Sequence, residues 1–193
     1  MLLIKNTTAR YGAVSILIHW VSFLMVAGLF GVGLYMVELT YYDPLYHELP
    51  EWHKLFGVIL GGLTLIRLVW ICFSRPPKVL TEQRWQAVLA KMVHGLLYLI
   101  LLLLLISGYL ISTAKGAPLV SFDVQLLPAL VTLEPNQVDL AGLLHYWVAW
   151  GLVGVVSLHA LAALKHHFID QDQTLTRILT IKGQNAPLNR NRS

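Results

Sequence analysis

Four long apolar segments decide what this chain can fold into. They cover residues 13–37, 53–73, 93–112 and 141–164, and the third contains a nearly unbroken apolar run from 96 to 106. A helix needs about 20 mostly apolar residues to cross roughly 30 Å of hydrocarbon. Isolated spans must also satisfy their own backbone hydrogen bonds, which only helices do. We therefore predict an all-α protein, a four-helix transmembrane bundle.

The composition excludes several other classes of protein. Hydrophobic residues make up 56% of the chain and charged residues 12%, whereas soluble domains are about 25% charged. The single cysteine, Cys72, excludes an intrachain disulfide and a cysteine-based zinc or iron–sulfur site. The first apolar segment is longer than the core of a cleaved signal peptide, so we expect it to remain in the mature protein.

The distribution of lysine and arginine predicts the orientation. These residues concentrate before the first span, between spans two and three, and after span four, whereas the remaining loops contain seven acids and only Lys54 and Lys115. Positive loops mark the cytoplasmic side, so both termini are predicted to be cytoplasmic and no nucleic-acid partner is expected. Residues 1–179 are predicted to form the membrane domain and 180–193 a disordered cytoplasmic tail.

Two loops are predicted to contain short helices. Thr81 and Glu82 favour the start of a short interfacial helix that runs through Trp85. The connection 113–139 is long for a helix bundle, and loops of that size usually have local structure or function. Its apolar run 124–133 predicts a short helix on the outer side of the membrane.

Histidines inside the spans are the main functional signal, because ionisable residues are costly in a membrane. The order of the spans places His19 and His159 at one depth near the cytoplasm, and His53 and His145 at a second depth near the outer surface. At about 100° and 1.5 Å per residue, the 14 residues from His145 to His159 put both on one helix face, roughly 21 Å apart. That distance suits two stacked haems and is too long for a single metal ion.

The pairs of imidazoles favour haem over other metal centres. Zinc or copper would need three or four ligands close together, whereas two imidazoles on different helices match the two axial positions of one haem iron. Such an iron has no open position, so outer-sphere electron transfer is the predicted chemistry. The alternative is a haem-free membrane protein whose histidines serve only in packing.

The interval of 14 residues recurs between other histidines of the spans and one arginine and two glycines. Arg67 follows His53 by 14 residues and either pairs with a haem propionate or extends to the cytoplasmic interface. Gly33 and Gly108 each follow a histidine by 14 residues. They would let a helix backbone approach a macrocycle, although glycine is also common where membrane helices pack.

The chain resembles the prokaryotic cytochrome b561 family from residue 10 to about 179. The resemblance rests on RYG at 10–12, IHW at 18–20, WHK at 52–54, IRLVW at 66–70, VHG at 93–95, LHALAALKHHF at 158–168 and DxTLxR at 172–177. It implies a multi-pass protein of the bacterial inner membrane with two haem b groups. His19 and His159 would hold the cytoplasmic-side haem, and His53 and His145 the outer one.

Some members of that family resemble superoxide oxidases, which pass electrons from superoxide on the outer side to ubiquinone. For this chain, Lys54 is then a candidate for anion approach. His94, Lys165 and His166 are candidates for a quinone site, with lipid-headgroup contact as the alternative for the last two. A second copy of the chain is a further candidate partner. The other function considered is a haem-bearing membrane anchor, or electron-relay subunit, that docks a separate redox protein through the loop 113–139.

Overall fold

A computed structural model describes residues 3–81 and 83–181 of the chain. The elements in chain order are α1 (Ala13–Met36), α2 (Glu48–Phe73), α3 (Arg84–Thr113), β1 (Leu119–Ser121), β2 (Val124–Leu127), α4 (Pro135–Phe168) and α5 (Thr174–Leu179). The predicted all-α class is confirmed, with one small hairpin added to it. Glu82 and the predicted tail beyond residue 181 lie outside the described residues.

Helices α1 to α4 are each long enough and apolar enough to cross a membrane. Many of their large apolar side chains face outward, and Leu24, Leu65 and Leu99 are 66%, 58% and 54% exposed. In water such a surface would favour aggregation. In hydrocarbon it costs nothing, and the exposed apolar faces therefore fit contact with lipid.

The helices extend beyond the predicted spans. Helix α2 begins at residue 48 instead of 53, α3 at 84 instead of 93, and α4 runs over 135–168 instead of 141–164. A search for continuous apolar residues finds only the part of a helix that lies in hydrocarbon. The backbone hydrogen bonds of the helix continue beyond that part into the charged ends. The predicted separate helix through Trp85 is wrong for this reason, since Trp85 lies in the first turn of α3.

Both ends of α4 follow rules of helix capping. Pro135 occupies the first helical position, where its missing N–H costs nothing. The backbone N–H of Glu134 donates to the side-chain oxygen of Gln137 at 2.9 Å, which resembles one half of a capping box. Lys165, His166 and His167 fill the last turn, where positive charge complements the helix dipole.

The loop between α3 and α4 forms a hairpin, so the helix predicted over 124–133 is wrong. Strands β1 and β2 pair antiparallel, and the turn residues Phe122 and Asp123 have φ angles of 47° and 63°. Alternating side chains on either side of a tight turn favour a hairpin over a helix turn. Pro128 follows β2 and has no N–H to extend the ladder.

The hairpin is fixed to the start of α2 through Glu51. The Ser121 hydroxyl donates to the Glu51 carbonyl at 2.9 Å, and the Phe122 N–H donates to the Glu51 carboxylate at 3.1 Å. The Trp52 and Phe122 rings meet edge to face with centroids 4.7 Å apart. The hairpin therefore covers the helix turn that contains His53.

The chain divides into two compact units. The first comprises the described parts of 1–21, 65–97 and 154–193, and the second comprises 22–64 and 98–153. The first unit contains His19, His94 and His159, and the second contains His53 and His145. Each predicted pair of haem ligands therefore falls within one unit.

The first unit is held together by hydrogen bonds between segments far apart in the sequence. The Asn6 side chain donates to the Ser74 carbonyl and accepts from the Gly12 N–H, at 2.9 and 2.8 Å. The Trp20 indole N–H donates to the Ile178 carbonyl at 2.9 Å, which anchors α5 beside the turn of α1 that contains His19. These bonds position the helix end on which the first histidine lies.

Candidate functional site

Helices α1 and α4 bring the first predicted pair together. The ring centroids of His19 and His159 lie 6.4 Å apart, with an angle of 60° between the ring planes. His94, from α3, lies against the same cluster with its centroid 5.2 Å from that of His159. Three imidazoles thus share the site in the first unit.

The second unit contains the other predicted pair. The ring centroids of His53 on α2 and His145 on α4 lie 6.3 Å apart, with an angle of 70° between the ring planes. The two predicted pairs therefore have nearly the same separation. Helix α4 supplies one ring to each pair, and the second ring comes from α1 in the first pair and from α2 in the second.

These separations fit two imidazoles on one metal ion. Imidazole nitrogens bind metal ions at about 2.0–2.1 Å, so two rings that shared one metal ion would have centroids about 6 Å apart. The pairs His19–His159 and His53–His145 have this separation, and the pair His94–His159 is closer, at 5.2 Å. His19 and His159 would therefore hold a group at the first site, with His94 as a neighbour.

Arg67 places a cation beside the first pair. Its Nη2 atom lies 3.4 Å from the Nδ1 atom of His19, and the two residues are partly buried. Helix α2 thus directs the guanidinium to the histidine cluster of the first unit. A cation so placed can bind an anionic group there, as a haem propionate would require.

In the second unit each imidazole rests against a glycine of another helix. A Cβ atom on Gly33 of α1 would lie 3.3 Å from His53 Cε1, and one on Gly108 of α3 would lie 3.2 Å from His145 Cε1. Both distances are shorter than ordinary carbon–carbon contacts of about 3.5–4.0 Å. The two glycines predicted from their spacing are therefore close-approach positions, and each lies against a histidine ring.

Hydrogen bonds at Nδ1 differ between the two rings of this pair. His145 Nδ1 lies 2.9 Å from the Ser107 hydroxyl. The Nδ1 atom of His53 is buried and has no hydrogen-bond partner among the described residues. The backbone of Leu29 nevertheless interacts with the ring of His53. A side-chain hydroxyl therefore lies at Nδ1 of His145, and none lies at Nδ1 of His53 among the described residues.

The remaining quinone-site candidates have charged partners at the end of α4. Lys165 Nζ donates to both carboxylate oxygens of Asp170, at 2.9 and 2.7 Å, and His166 Nδ1 lies 2.8 Å from the same residue. The hydrogen bond from Lys165 keeps the pKa of Asp170 below its usual 3.8. Lys165 and His166 thus form a cluster with Asp170, whereas His94 lies against His159.

Lys54 is engaged in an ion pair. Its Nζ atom lies 2.5 Å from the Glu51 carboxylate, and the same carboxylate holds the hairpin. The positive charge of Lys54, the candidate for anion approach, is therefore partly neutralised by Glu51.

The second unit is acidic. It contains two cationic residues, Lys54 and Lys115, and seven acids: Glu38, Asp43, Glu48, Glu51, Asp123, Glu134 and Asp139. Hydrogen bonds from Thr40 lower the pKa of Asp43, so that loop carboxylate stays ionised. The charge around this unit repels anions and attracts cations.

Ser107 is the functional candidate that the sequence analysis missed. It is 2% exposed and lies in a span that is otherwise nearly all apolar. A buried hydroxyl at that depth, directly before Gly108, was the available signal, because polar groups in a membrane need partners.

Four helices of membrane-spanning length with histidines that meet in pairs are typical of membrane b-type cytochromes. The family model for prokaryotic cytochrome b561 matches residues 10–180 of the chain. The chain belongs to the prokaryotic cytochrome b561 family.

Curated relatives agree with this assignment. The chain is 46% identical to "Cytochrome b561 homolog 2" of Escherichia coli K12 over 175 residues, which cover 90% of this chain and 93% of the relative. It is 29% identical to "Probable superoxide oxidase CybB" of Yersinia pestis over 181 residues, covering 90% and 97% of the two chains. It is 27% identical to "Cytochrome b561 homolog 1" of Escherichia coli K12 over 177 residues, covering 88% and 97%.

Proposed function

We propose that the chain is a di-haem b cytochrome that carries electrons across the bacterial inner membrane. The observation that carries this proposal is the separation of the two histidine pairs, 6.4 and 6.3 Å between ring centroids. His19 and His159 would hold one haem, and His53 and His145 the other. A haem with two axial histidines supplies one-electron, outer-sphere transfer.

The surrounding residues adapt each site to that role. The guanidinium of Arg67, beside His19, compensates negative charge at the first site. Gly33 and Gly108 leave room for the rings of the second pair. The apolar faces of the four spans keep both sites in a medium of low dielectric, which strengthens every charge interaction within them.

Charge supports the proposed orientation. The described part of the first unit contains two acids and nine cations: Lys5, Arg10, Arg67, Arg75, Lys78, Arg84, Lys91, Lys165 and Arg177. The acidic second unit has the opposite balance. Because positive loops are retained in the cytoplasm, we place the first unit and both termini on the cytoplasmic side.

We propose superoxide as donor and ubiquinone as acceptor. Support for the donor comes from the relative named "Probable superoxide oxidase CybB". Two superoxide ions give up one electron each and become dioxygen, and a quinone takes up two electrons and two protons. His94 lies beside His159, where it could donate a hydrogen bond to a quinone oxygen, and the cluster of Lys165 and His166 could supply protons.

The acidic second unit favours a second candidate, a haem-bearing anchor that accepts electrons from a separate, basic redox protein. Seven acids oppose the approach of an anion, and Lys54 is paired with Glu51. A cationic protein would be attracted by the same charges. In this case the chain would have no small-molecule donor of its own.

Quinone reduction by the purified chain distinguishes the two candidates. Wild type, His19→Ala and His53→Ala would be mixed with enzymatically generated superoxide and a short-chain ubiquinone. The control is His47→Ala, a loop histidine whose ring contacts Tyr41 and Tyr46. We expect turnover in wild type and in the control, and none in the other two variants. A wild-type protein with its haems bound and no turnover would contradict superoxide as donor and favour the relay subunit.

The acceptor site and the oligomeric state have their own readouts. His94→Ala and His166→Ala should retain haem but slow quinone reduction. Normal rates in both would remove these residues from the acceptor site. The mass of the purified protein in detergent decides between a monomer and a homodimer.

A further inference from the structure

Ser107 makes a contact with a predicted ligand that the proposed function does not use. It lies on α3, is 2% exposed, and its Oγ atom is 2.9 Å from Nδ1 of His145. Both residues belong to the second unit. The contact therefore joins a buried side chain of α3 to a histidine ring of α4.

The direction of this hydrogen bond follows from counting protons. Ser107 Oγ also lies 2.8 Å from the Leu103 carbonyl and 3.1 Å from the Leu104 carbonyl. Carbonyl oxygens only accept, and a hydroxyl has one proton. That proton is used by the carbonyls, so at His145 the hydroxyl oxygen acts as acceptor. The proton of the neutral imidazole must then lie on Nδ1.

A neutral imidazole with its proton on Nδ1 has its free lone pair on Nε2. The hydrogen bond made by one ring nitrogen thus selects the nitrogen that can bind a metal. The neighbouring Gly108 fixes the position of the same ring, because a Cβ there would lie 3.2 Å from His145 Cε1. Ser107 thus favours the proton on Nδ1 together with the Leu104 backbone, which also interacts with this ring, and Gly108 restricts where the ring can lie.

His53, the other ring of this pair, is held differently. The backbone of Leu29 interacts with the ring of His53, and the backbone of Leu104 interacts with the ring of His145. Among the described residues, only His145 also has a side-chain hydroxyl at Nδ1. A backbone carbonyl is not removed by substitution, but a hydroxyl is. The His145 side of the site can therefore be tested by a single change.

We propose that Ser107 is a positioning residue that holds His145 with its proton on Nδ1 and presents Nε2 to the iron of the second-unit haem. This inference rests on the proposed function, since it assumes that His53 and His145 bind haem. Ser107 would act on the cofactor only through His145, and it would not contact the electron donor or the acceptor.

The test compares Ser107→Ala with Thr64→Val. Thr64 lies on α2, is 2% exposed and donates to the Leu60 carbonyl at 2.8 Å, the same type of bond within a helix, so the control removes a similar buried hydroxyl on another helix. Loss of a hydrogen-bond partner of a metal ligand typically weakens metal binding about 10- to 100-fold. We expect haem transfer from the second-unit site to an apoprotein acceptor to become faster by that factor in Ser107→Ala and to stay unchanged in the control.

The reduction potential gives a readout that a purely structural role would not move. A hydrogen bond from Nδ1–H makes imidazole more basic and so favours the oxidised iron. Its loss should raise the potential of the second-unit haem, by about 59 mV for each tenfold change in relative affinity for the two oxidation states. The potential of the first-unit haem should not change.

Ser107→Cys retains the volume of the side chain but replaces the oxygen with a weak acceptor. If Ser107→Ala does not accumulate in membranes, Ser107→Cys replaces it in the test. Ser107→Cys should shift the reduction potential of the second-unit haem in the same direction. Wild-type haem transfer and potentials in both variants would overturn the role of Ser107 and leave the proposed function intact. A wild-type protein without a haem on His53 and His145 would contradict the proposed function itself, and with it this inference.

Discussion

Gly33→Ala should displace the ring of His53 and weaken haem binding in the second unit. The new Cβ would lie 3.3 Å from His53 Cε1 and 3.8 Å from Nδ1. Ordinary carbon–carbon contacts are about 3.5–4.0 Å, so the ring must move by roughly 0.2–0.7 Å. Functional sites need their ligands within about 0.5 Å of the productive geometry, and the upper part of this range exceeds that tolerance.

The size of the effect follows from the cost of overpacking. Inserting a methyl group into a packed site costs about 1–3 kcal/mol, which corresponds to about a 5- to 140-fold loss of affinity. The cost falls on haem binding because the displaced group is the proposed ligand His53 and because α1 itself can accept alanine.

Gly31→Ala is the matched control, two residues away on α1. A Cβ at Gly31 has nothing within 4 Å among the described residues, and alanine is favoured over glycine in a helix by about 1 kcal/mol. Both variants would be purified under the same conditions and assayed for haem per chain and for the reduced-minus-oxidised spectrum. We expect Gly33→Ala to lose haem from one site and Gly31→Ala to retain both. Equal haem content in the two variants would show that haem binding does not depend on the space that Gly33 leaves for the ring of His53.

Substitutions at three further residues test the charges around the sites. Arg67→Gln should lower the potential of the first-unit haem in a redox titration, because a nearby cation favours the added electron, and Arg67→Lys should lower it less. Lys54→Glu should leave haem content unchanged and slow reduction by superoxide, and an unchanged rate would exclude Lys54 as an anion guide. Asp170→Asn should lower the Tm at neutral pH, where Lys165 is paired with a carboxylate. Since that hydrogen bond lowers the pKa of Asp170, its stabilisation is present above pH 3.8 and is lost as the pH falls below that value, so the difference in Tm should disappear there.

The sequence was sufficient to predict the four long helices, because length and continuous hydrophobicity together leave no other structure for a membrane. It failed at the ends of the helices and in the loop after α3. The helix ends are set by capping and by backbone bonding of charged turns, as at Pro135, which an apolar window does not register. The hairpin depends on the turn at Phe122 and Asp123 and on its attachment to Glu51, and the second of these is a contact across 71 positions of the sequence.

The pairing of His53 with His145 could be predicted because helix rise and the order of the spans fix depth, and depth alone brings the right residues to one level. The lateral neighbours of each ring could not be predicted in this way. The rotation of one helix against another decides that Ser107 and Gly108 contact His145 and that Gly33 contacts His53. Spacing identified both glycines as close-approach positions, and the structure adds that each lies against a histidine ring of another helix. Their approach to a macrocycle stays a prediction.

The number of haems per chain in the purified wild-type protein decides whether both histidine pairs bind haem. Protein expressed in cells that supply haem would be quantified by amino-acid analysis and by its dithionite-reduced minus oxidised spectrum. Two histidine pairs at 6.4 and 6.3 Å predict two haems per chain with the spectrum of six-coordinate haem b. One haem per chain would leave one histidine pair as packing residues, and the absence of haem would contradict the account as a whole.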